Sequence, residues 1–176
     1  DAQTVFDLAQ EGGISDSVYG DMLLVMQVCK ENHELRSILK NPVIKAGSKK
    51  AIVDELFQDK VEKLTVAFLE LLIAKRRDIL LYEIAERYTE IYKEFNNIKT
   101  ALLTTAVELE SNELTLIINK IESELNTKVD LHTKVNPKLI GGFCLSIDGM
   151  QYDASFMNQF TKLKKEFTKN IYEKTF

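Results

Sequence analysis

The stretch from residue 91 to residue 109, IYKEFNNIKTALLTTAVEL, contains a change of hydrophobic period that decides the fold. Up to Asn96-Asn97, apolar residues recur at helical spacing, and Ile91 and Phe95 belong to the last such helix. Beyond this pair the odd-numbered positions are the more apolar, which is the period of a β-strand. Because helical patterns precede this point and strand patterns follow it, we predict an α+β chain with two domains, divided after residue 97.

Residues 1–97 are predicted to form an all-α six-helix bundle. One helix carries a stripe at i, i+4, i+7 and i+11 made of Val18, Met22, Val25 and Cys29. A short helix ends at Asn41-Pro42, because the residue before a proline avoids the helical region. Three serines at the starts of helical patterns are predicted to be N-caps: Ser15, Ser48 and Ser111.

Residues 98–176 are predicted to form a small β-α-β-β-β-α domain. The second strand runs from Lys128 to Val135, and Asp148-Gly149 is a strong signal for a hairpin turn. Ser155 is expected to cap a final helix. Its inward side chains are predicted to be Phe156, Phe160, Leu163 and Phe167.

Composition and charge exclude several classes of protein. The chain has 176 residues, of which 45% are hydrophobic and 28% charged, so it is expected to be globular. The net charge is −4, all of it in residues 1–97, where 17 acidic residues face 13 basic ones, which disfavours nucleic-acid binding. The sequence contains no apolar run of about 18 residues, the length that a membrane-spanning helix needs. Because a helical pattern already begins at residue 2, we expect further residues before Asp1 in the native chain.

The residues that could carry chemistry form no catalytic pattern. Cys29 and His33 are four residues apart on one helix, so they could pair as thiol and base, but Cys29 lies in an apolar stripe and is better explained as a core residue. His132 lies on the polar face of a strand and is expected to be a surface residue. The chain has neither metal-ligand spacing nor a phosphate-binding loop, so no cofactor or metal is expected.

The helix predicted from Val61 to Lys75 is apolar on more than one face. One stripe consists of Leu64, Phe68, Leu71 and Leu72, and a second of Val66, Leu69 and Ile73. A helix that is apolar all round is either central in a bundle or holds a partner, and the pattern alone leaves both open.

Several motifs together resemble one known family. They are the opening Ala2–Ala9, the segment Asn41-Pro42-Val43-Ile44, the run Phe68–Leu72 with Arg77, the segment Val135–Phe143, and Asp153-Ala154-Ser155. Their order resembles the delta subunit of F-type ATP synthases, which is related to the mitochondrial oligomycin-sensitivity-conferring protein. The resemblance covers nearly the whole chain. Among the departures, Arg76 stands where glycine is common in the family.

The resemblance implies a non-catalytic stator subunit at the cytoplasmic face of the bacterial inner membrane. Residues 1–97 would bind the N-terminal helix of an ATP synthase alpha subunit, and residues 98–176 would bind the b subunits of the peripheral stalk. Together they would resist rotor torque during proton-driven ATP synthesis, with no nucleic acid bound and no membrane span. Two alternatives remain: a helical-bundle adaptor associated with RNA, which should show a basic groove, and a small enzyme using Cys29 and His33.

The resemblance also implies site residues. The alpha-subunit groove would lie between the first and fifth helices, lined by Val5, Ala9, Val66, Leu69 and Ile73. The side chains expected to face the bundle core instead are Phe6, Leu64, Phe68 and Leu71. The stalk-binding motif would comprise Leu139, Ile140, Gly141, Gly142, Phe143, Asp153 and Ser155.

Overall fold

The computed structural model describes residues 1–139 and 143–151, and the chain divides into two compact units, Asp1–Asn96 and Asn97–Phe176. The described residues contain seven α-helices and one four-stranded sheet, so the predicted α+β class is confirmed. Each unit has a hydrophobic cluster of its own. The change of period at Asn96-Asn97 therefore separates two cores.

The first unit is helical throughout. Its elements are α1 (Ala2–Glu11), α2 (Ser15–Glu31), α3 (His33–Lys40), α4 (Ala46–Phe57), α5 (Lys63–Ala74), a 3₁₀ turn (Asp78–Leu80) and α6 (Leu81–Phe95). Helix α6 packs along α2 and α1, and α4 packs along α5. The two long helices α2 and α6 thus form the centre against which the shorter ones are placed.

The core of the first unit contains the stripe predicted on α2: Val18, Met22, Val25 and Cys29 are all buried. Tyr88 of α6 is fully buried, and its hydroxyl donates a hydrogen bond of 3.0 Å to the carbonyl oxygen of Ser15. The ring of Phe6 from α1 meets the Tyr88 ring edge-on, with 5.7 Å between centroids. The hydrogen bond to Ser15 satisfies the Tyr88 hydroxyl, which would otherwise be buried without a partner.

Buried polar groups join the shorter helices to this centre. The Asp21 carboxylate of α2 accepts hydrogen bonds from the Thr65 hydroxyl (2.6 Å) and from the backbone N–H of Glu62 (2.9 Å), at the start of α5. Lys49 of α4 donates to Asp78 (2.6 Å) and to the Leu39 carbonyl oxygen (2.9 Å). Each bond crosses from one element to another, so these contacts determine how the helices are aligned.

The helix starts differ from the predicted caps. Helix α3 does end at Lys40, directly before Asn41-Pro42 as expected. However, Ser48 lies inside α4, since the Lys45 carbonyl oxygen already accepts the backbone N–H groups of Ser48 and Lys49. The prediction of Ser48 as N-cap is therefore wrong. A serine marks a helix start only where the backbone turns, and here the turn occurs three residues earlier.

The caps predicted at Ser15 and Ser111 are each displaced by one residue. Ser15 is the first residue of α2, and Ile14 occupies the N-cap position. Ser111 likewise follows the N-cap Glu110, whose side chain forms a capping box with Glu113. A carboxylate accepts the exposed backbone N–H groups as a hydroxyl would, and it also suits the positive end of the helix dipole.

The second unit carries the sheet. Its described elements are β1 (Ile98–Thr105), α7 (Ser111–Leu125), β2 (Lys128–Val135), β3 (Phe143–Ile147) and β4 (Met150–Gln151). The strand order is β2-β1-β3-β4, with β1 parallel to β2 and antiparallel to β3. Helix α7 is the crossover that a parallel pair requires.

The predicted hairpin is confirmed at Asp148-Gly149, which joins β3 to β4 with positive φ angles of 50° and 79°. Two consecutive left-handed residues are the geometry that favours Asp-Gly. The alternation on β1 is confirmed as well, since Ala101, Leu103 and Thr105 are buried. The predicted final helix, with Ser155 and its four inward side chains, lies outside the described residues and stays a prediction.

Candidate protein-docking site

The side chains that α5 buries differ from those expected. Leu69 is 1% exposed and belongs to the core with Phe68, Leu72 and Ile73. Leu71, predicted to face inward, is 49% exposed, so that prediction is wrong. The inward side of α5 is therefore rotated relative to the predicted one.

Thr65 explains the rotation of α5. Its side chain is fully buried because its hydroxyl donates to the buried Asp21 of α2. Thr65 is polar and therefore belongs to neither apolar stripe, yet it determines which face of α5 is buried. Residues 65, 68, 69 and 72 then share that face. Only the hydrogen bond to Asp21 indicates that Thr65 is buried, and Asp21 is 44 residues away in the sequence.

Helix α1 also places its predicted groove residues in the core. Val5 and Ala9 are buried, as is Phe6, for which burial was expected. Val66 of α5 is half-buried. Four of the five predicted groove side chains, Val5, Ala9, Leu69 and Ile73, therefore present no surface to a partner. This corrects which side chains face outward and leaves the docking role of the two helices as a proposal.

The outward faces of α1 and α5 carry apolar residues that the sequence reading missed. Leu8 is 47% exposed and Leu71 49%, and the small residues Ala67 and Ala74 flank Leu71 on the same exposed side of α5. The spacing 67, 71, 74 is i, i+4, i+7, a continuous helical stripe. The missed signal was this row of small side chains, which gives a partner helix close access.

One ion pair fixes the start of α1 near the end of α5. The Arg77 guanidinium lies 2.6 Å from the Asp1 carboxylate, and both side chains are partly exposed. Arg77 follows α5 and Asp1 precedes α1, so the ion pair joins the residue before α1 to the residues after α5.

Cys29 and His33 form no thiol–base pair. Burial raises the pKa of the Cys29 thiol, although the charge of Arg36 opposes this shift, so the thiolate is disfavoured. His33 is exposed, and its Nδ1 lies 3.2 Å from the Ser37 hydroxyl. His132 is exposed and contacts Asp130, in agreement with a surface role.

The predicted stalk-binding motif is only partly described. Leu139 and Phe143 are half-buried, and Phe143 packs against the core of the second unit. Ile140, Gly141, Gly142, Asp153 and Ser155 lie outside the described residues. In residues 1–139 and 143–151, no group of three His, Cys, Asp or Glu side chains could hold a metal ion. The same residues include no helix long and apolar enough to cross a membrane.

Comparison with known proteins decides the family. Residues 2–167 match the family described as the ATP synthase delta (OSCP) subunit. The chain belongs to this family. It is therefore a component of the peripheral stalk of ATP synthase, and the alternative of an RNA-associated adaptor finds no support.

Relatives of the delta family align over nearly their full length. ATP synthase subunit delta of Cytophaga hutchinsonii is 34% identical over 170 residues, covering 97% of this chain and 93% of the relative. The proteins of the same name from Prochlorococcus marinus strain MIT 9301 and Carboxydothermus hydrogenoformans are 33% and 32% identical. They cover 96% and 93% of this chain, and 94% and 92% of their own lengths.

A solved structure shares the fold of this delta-family chain. A chain of the Toxoplasma gondii mitochondrial ATP synthase hexamer superposes with a TM-score of 0.69, covering 95% of this chain and 94% of its own. The two sequences are 18% identical, so the likeness concerns the fold alone.

Proposed function

We propose that the chain is a non-catalytic link between the catalytic head and the peripheral stalk of ATP synthase, with each compact unit holding one partner. The match to the delta family over residues 2–167 is the observation that carries this proposal. Two separate hydrophobic cores support a division of labour, because each unit can keep its shape while a different partner pulls on it.

The first unit would bind the N-terminal helix of an alpha subunit on the outward faces of α1 and α5. Leu8 and Leu71 are exposed there, with the half-buried Val66 beside the alanines of α5. An amphipathic helix places apolar side chains at i, i+3, i+4 and i+7, which fits the row 67, 71, 74. The exposed Asp1–Arg77 ion pair would lie where the start of α1 and the end of α5 meet.

The second unit would bind the b subunits of the stalk. Its segment Leu139–Phe143 and the residues Asp153 and Ser155 are the part proposed to make this contact. The predicted order β-α-β-β-β-α, closed by a helix after residue 155, belongs to the same proposal. Lys and Arg balance Asp and Glu in residues 98–176, so apolar contact rather than net charge would carry the affinity.

The proposed role needs no cofactor and no catalysis by this chain. The raised pKa of the buried Cys29 thiol and the separation of His33 from it argue against a thiol nucleophile. The chain would sit at the cytoplasmic face of the bacterial inner membrane, held there through the other subunits of the complex. It would transmit force, so its interfaces must resist the torque of the rotor.

A truncation after Asn97 tests the division of labour. The first unit has its own core, so residues 1–97 should fold and bind a synthetic peptide of the alpha-subunit N-terminus with the affinity of the full chain. The same fragment should not bind the soluble part of the b subunits. Isothermal titration calorimetry measures both.

Two outcomes would contradict the assignment. If residues 1–97 bind the b subunits as tightly as the full chain, the second unit is not the stalk-binding part. If the folded fragment does not bind the alpha-subunit peptide, the first unit alone is not the head-binding part. Circular dichroism of the fragment separates loss of binding from loss of the fold.

A further inference from the structure

Two adjoining cavities open on the first unit around Ile79, and their volumes are about 270 and 280 Å³. Both are lined by Leu39, Lys40, Asp78 and Ile79. The first extends to the ends of α2 and α3 and the start of α6, and the second extends to the loop 42–46 and the residues after α5. We call the pair the Ile79 cleft. It is built mainly from α3, the 3₁₀ turn and their neighbours, not from the outward faces of α1 and α5.

The Ile79 cleft is positively charged although its unit is acidic. Six cationic side chains line it: Lys30, Arg36, Lys40, Lys45, Lys49 and Arg76. Lys49 neutralises the charge of Asp78 at 2.6 Å, and within the described residues the other five form no ion pair. Glu83 is the remaining acidic residue of the lining. An excess of positive charge in a concave site attracts anionic groups.

The rim of the cleft is also apolar. Val43 is 85% exposed and Ile79 52%, and Leu80 and Tyr82 are exposed beside Ile79. Side chains of this kind clustered around a cavity mark a binding surface more often than isolated exposed leucines do. The cleft therefore offers cations and apolar side chains together.

Arg76 lies in the C-terminal cap of helix α5. Its φ angle is +55°, because it is the left-handed residue of a helix cap in which its N–H donates to the Ile73 carbonyl oxygen (3.0 Å) and the Arg77 N–H donates to the Leu72 carbonyl oxygen (2.8 Å). The cap explains the backbone, and the Arg76 side chain lines the cavity with no ion-pair partner among the described residues. The guanidinium is the group that glycine would lack, and it suits a carboxylate.

We propose that the Ile79 cleft docks an acidic, amphipathic segment of a partner protein. Its carboxylates would contact Lys40, Lys45 and Arg76, and its apolar side chains would cover Ile79 and Val43. A free phosphate would leave the apolar rim uncovered, and a flat membrane surface would not fill two cavities of this size. The contact is separate from the proposed alpha-subunit surface and from the second unit.

A pair of synthetic peptides tests the charge preference on the full chain. Both are fluorescein-labelled helices with leucines at i, i+3, i+4 and i+7, one with glutamates between them and one with lysines. We expect the glutamate peptide to bind and the lysine peptide not to bind. Lys40→Glu combined with Arg76→Glu should weaken binding by about tenfold, because opposite charges at the rim become like charges.

A matched control reverses two charges elsewhere. Lys60 and Lys63 lie before and at the start of α5, away from its Arg76 end, and both are exposed. Lys60→Glu with Lys63→Glu changes the net charge equally and should leave binding of the glutamate peptide unchanged. Leu71→Ala should also leave it unchanged, which separates this site from the proposed alpha surface.

Arg76→Gly gives a readout that a merely structural role would not produce. It removes both the guanidinium and the backbone strain, so the melting temperature should rise while the affinity for the glutamate peptide falls. Weaker binding with a lower melting temperature would mean that Arg76 supports the fold instead, and would overturn its role in docking.

The occupant is then identified in the assembled complex. A photo-crosslinking amino acid at Ile79 or Val43 should capture a protein segment in which Asp or Glu alternates with apolar residues, and Lys40→Glu with Arg76→Glu should abolish the capture. The proposal would be overturned if the two peptides bound equally, or if inorganic phosphate alone displaced the glutamate peptide. It would also be overturned if the crosslinks went to lipid or captured a basic segment.

Discussion

Leu71 and Leu69 of α5, two residues apart, are expected to respond in opposite ways to truncation. Leu69 is fully buried in the core of the first unit, whereas about half of Leu71 is open to solvent. Leu71→Ala should weaken binding of an alpha-subunit N-terminal peptide with little loss of stability. Leu69→Ala should lower stability, and its effect on the peptide should follow from unfolding alone.

The magnitudes follow from burial. Fully burying a leucine side chain is worth about 1.5–3 kcal/mol, so burying the open half of Leu71 against a partner contributes about 1 kcal/mol. Losing this amount raises the dissociation constant about fivefold. Leu69→Ala leaves a cavity and should cost about 2–5 kcal/mol of unfolding free energy. At about 4–8 °C per kcal/mol, the unit would melt at least about 8 °C lower.

Fluorescence anisotropy of the labelled peptide gives the dissociation constant, and thermal unfolding followed by circular dichroism gives the stability. Both are measured on the full chain and on residues 1–97, at temperatures where each variant is folded. The outward assignment of Leu71 is wrong if Leu69→Ala weakens peptide binding with an unchanged melting temperature while Leu71→Ala lowers the melting temperature. That result would restore the face assignment made from the apolar stripes.

Two further perturbations test buried and hydrogen-bonded pairs. Lys49→Met leaves the buried Asp78 carboxylate without its partner at 2.6 Å and should cost about 3–5 kcal/mol in urea unfolding; adding Asp78→Asn should recover part of the loss, and no recovery would contradict an unpaired charge as the cause. The hydrogen bond to Asp16 raises the pKa of Tyr92 to about 12, above the usual 10. The stabilisation that accompanies this raised pKa is fully present below pH 10 and is lost between pH 10 and 12. Tyr92→Phe should therefore flatten the decline of stability at alkaline pH, and an identical decline in both proteins would count against this.

Much of the fold could be predicted from local patterns in the sequence. The change of period after Asn96, the α2 stripe through Cys29 and the Asp148-Gly149 turn depend on residues close in sequence, and each is found in the structure. Hydrophobic period and turn chemistry act over a few residues, so they can be read without knowing the tertiary contacts. The order of motifs also sufficed to indicate the family.

What the sequence by itself determined was therefore where the elements lie and which family they belong to; which side of α5 is buried was decided only by the tertiary structure. Thr65 is polar, and nothing near it in sequence shows that it is buried. The carboxylate of Asp21, on another helix, accepts its hydrogen bond and so compensates for the lost water. That long-range bond rotates Leu69 into the core and Leu71 out of it. Periodicity counts apolar residues, so it cannot detect a phase that one buried polar pair decides.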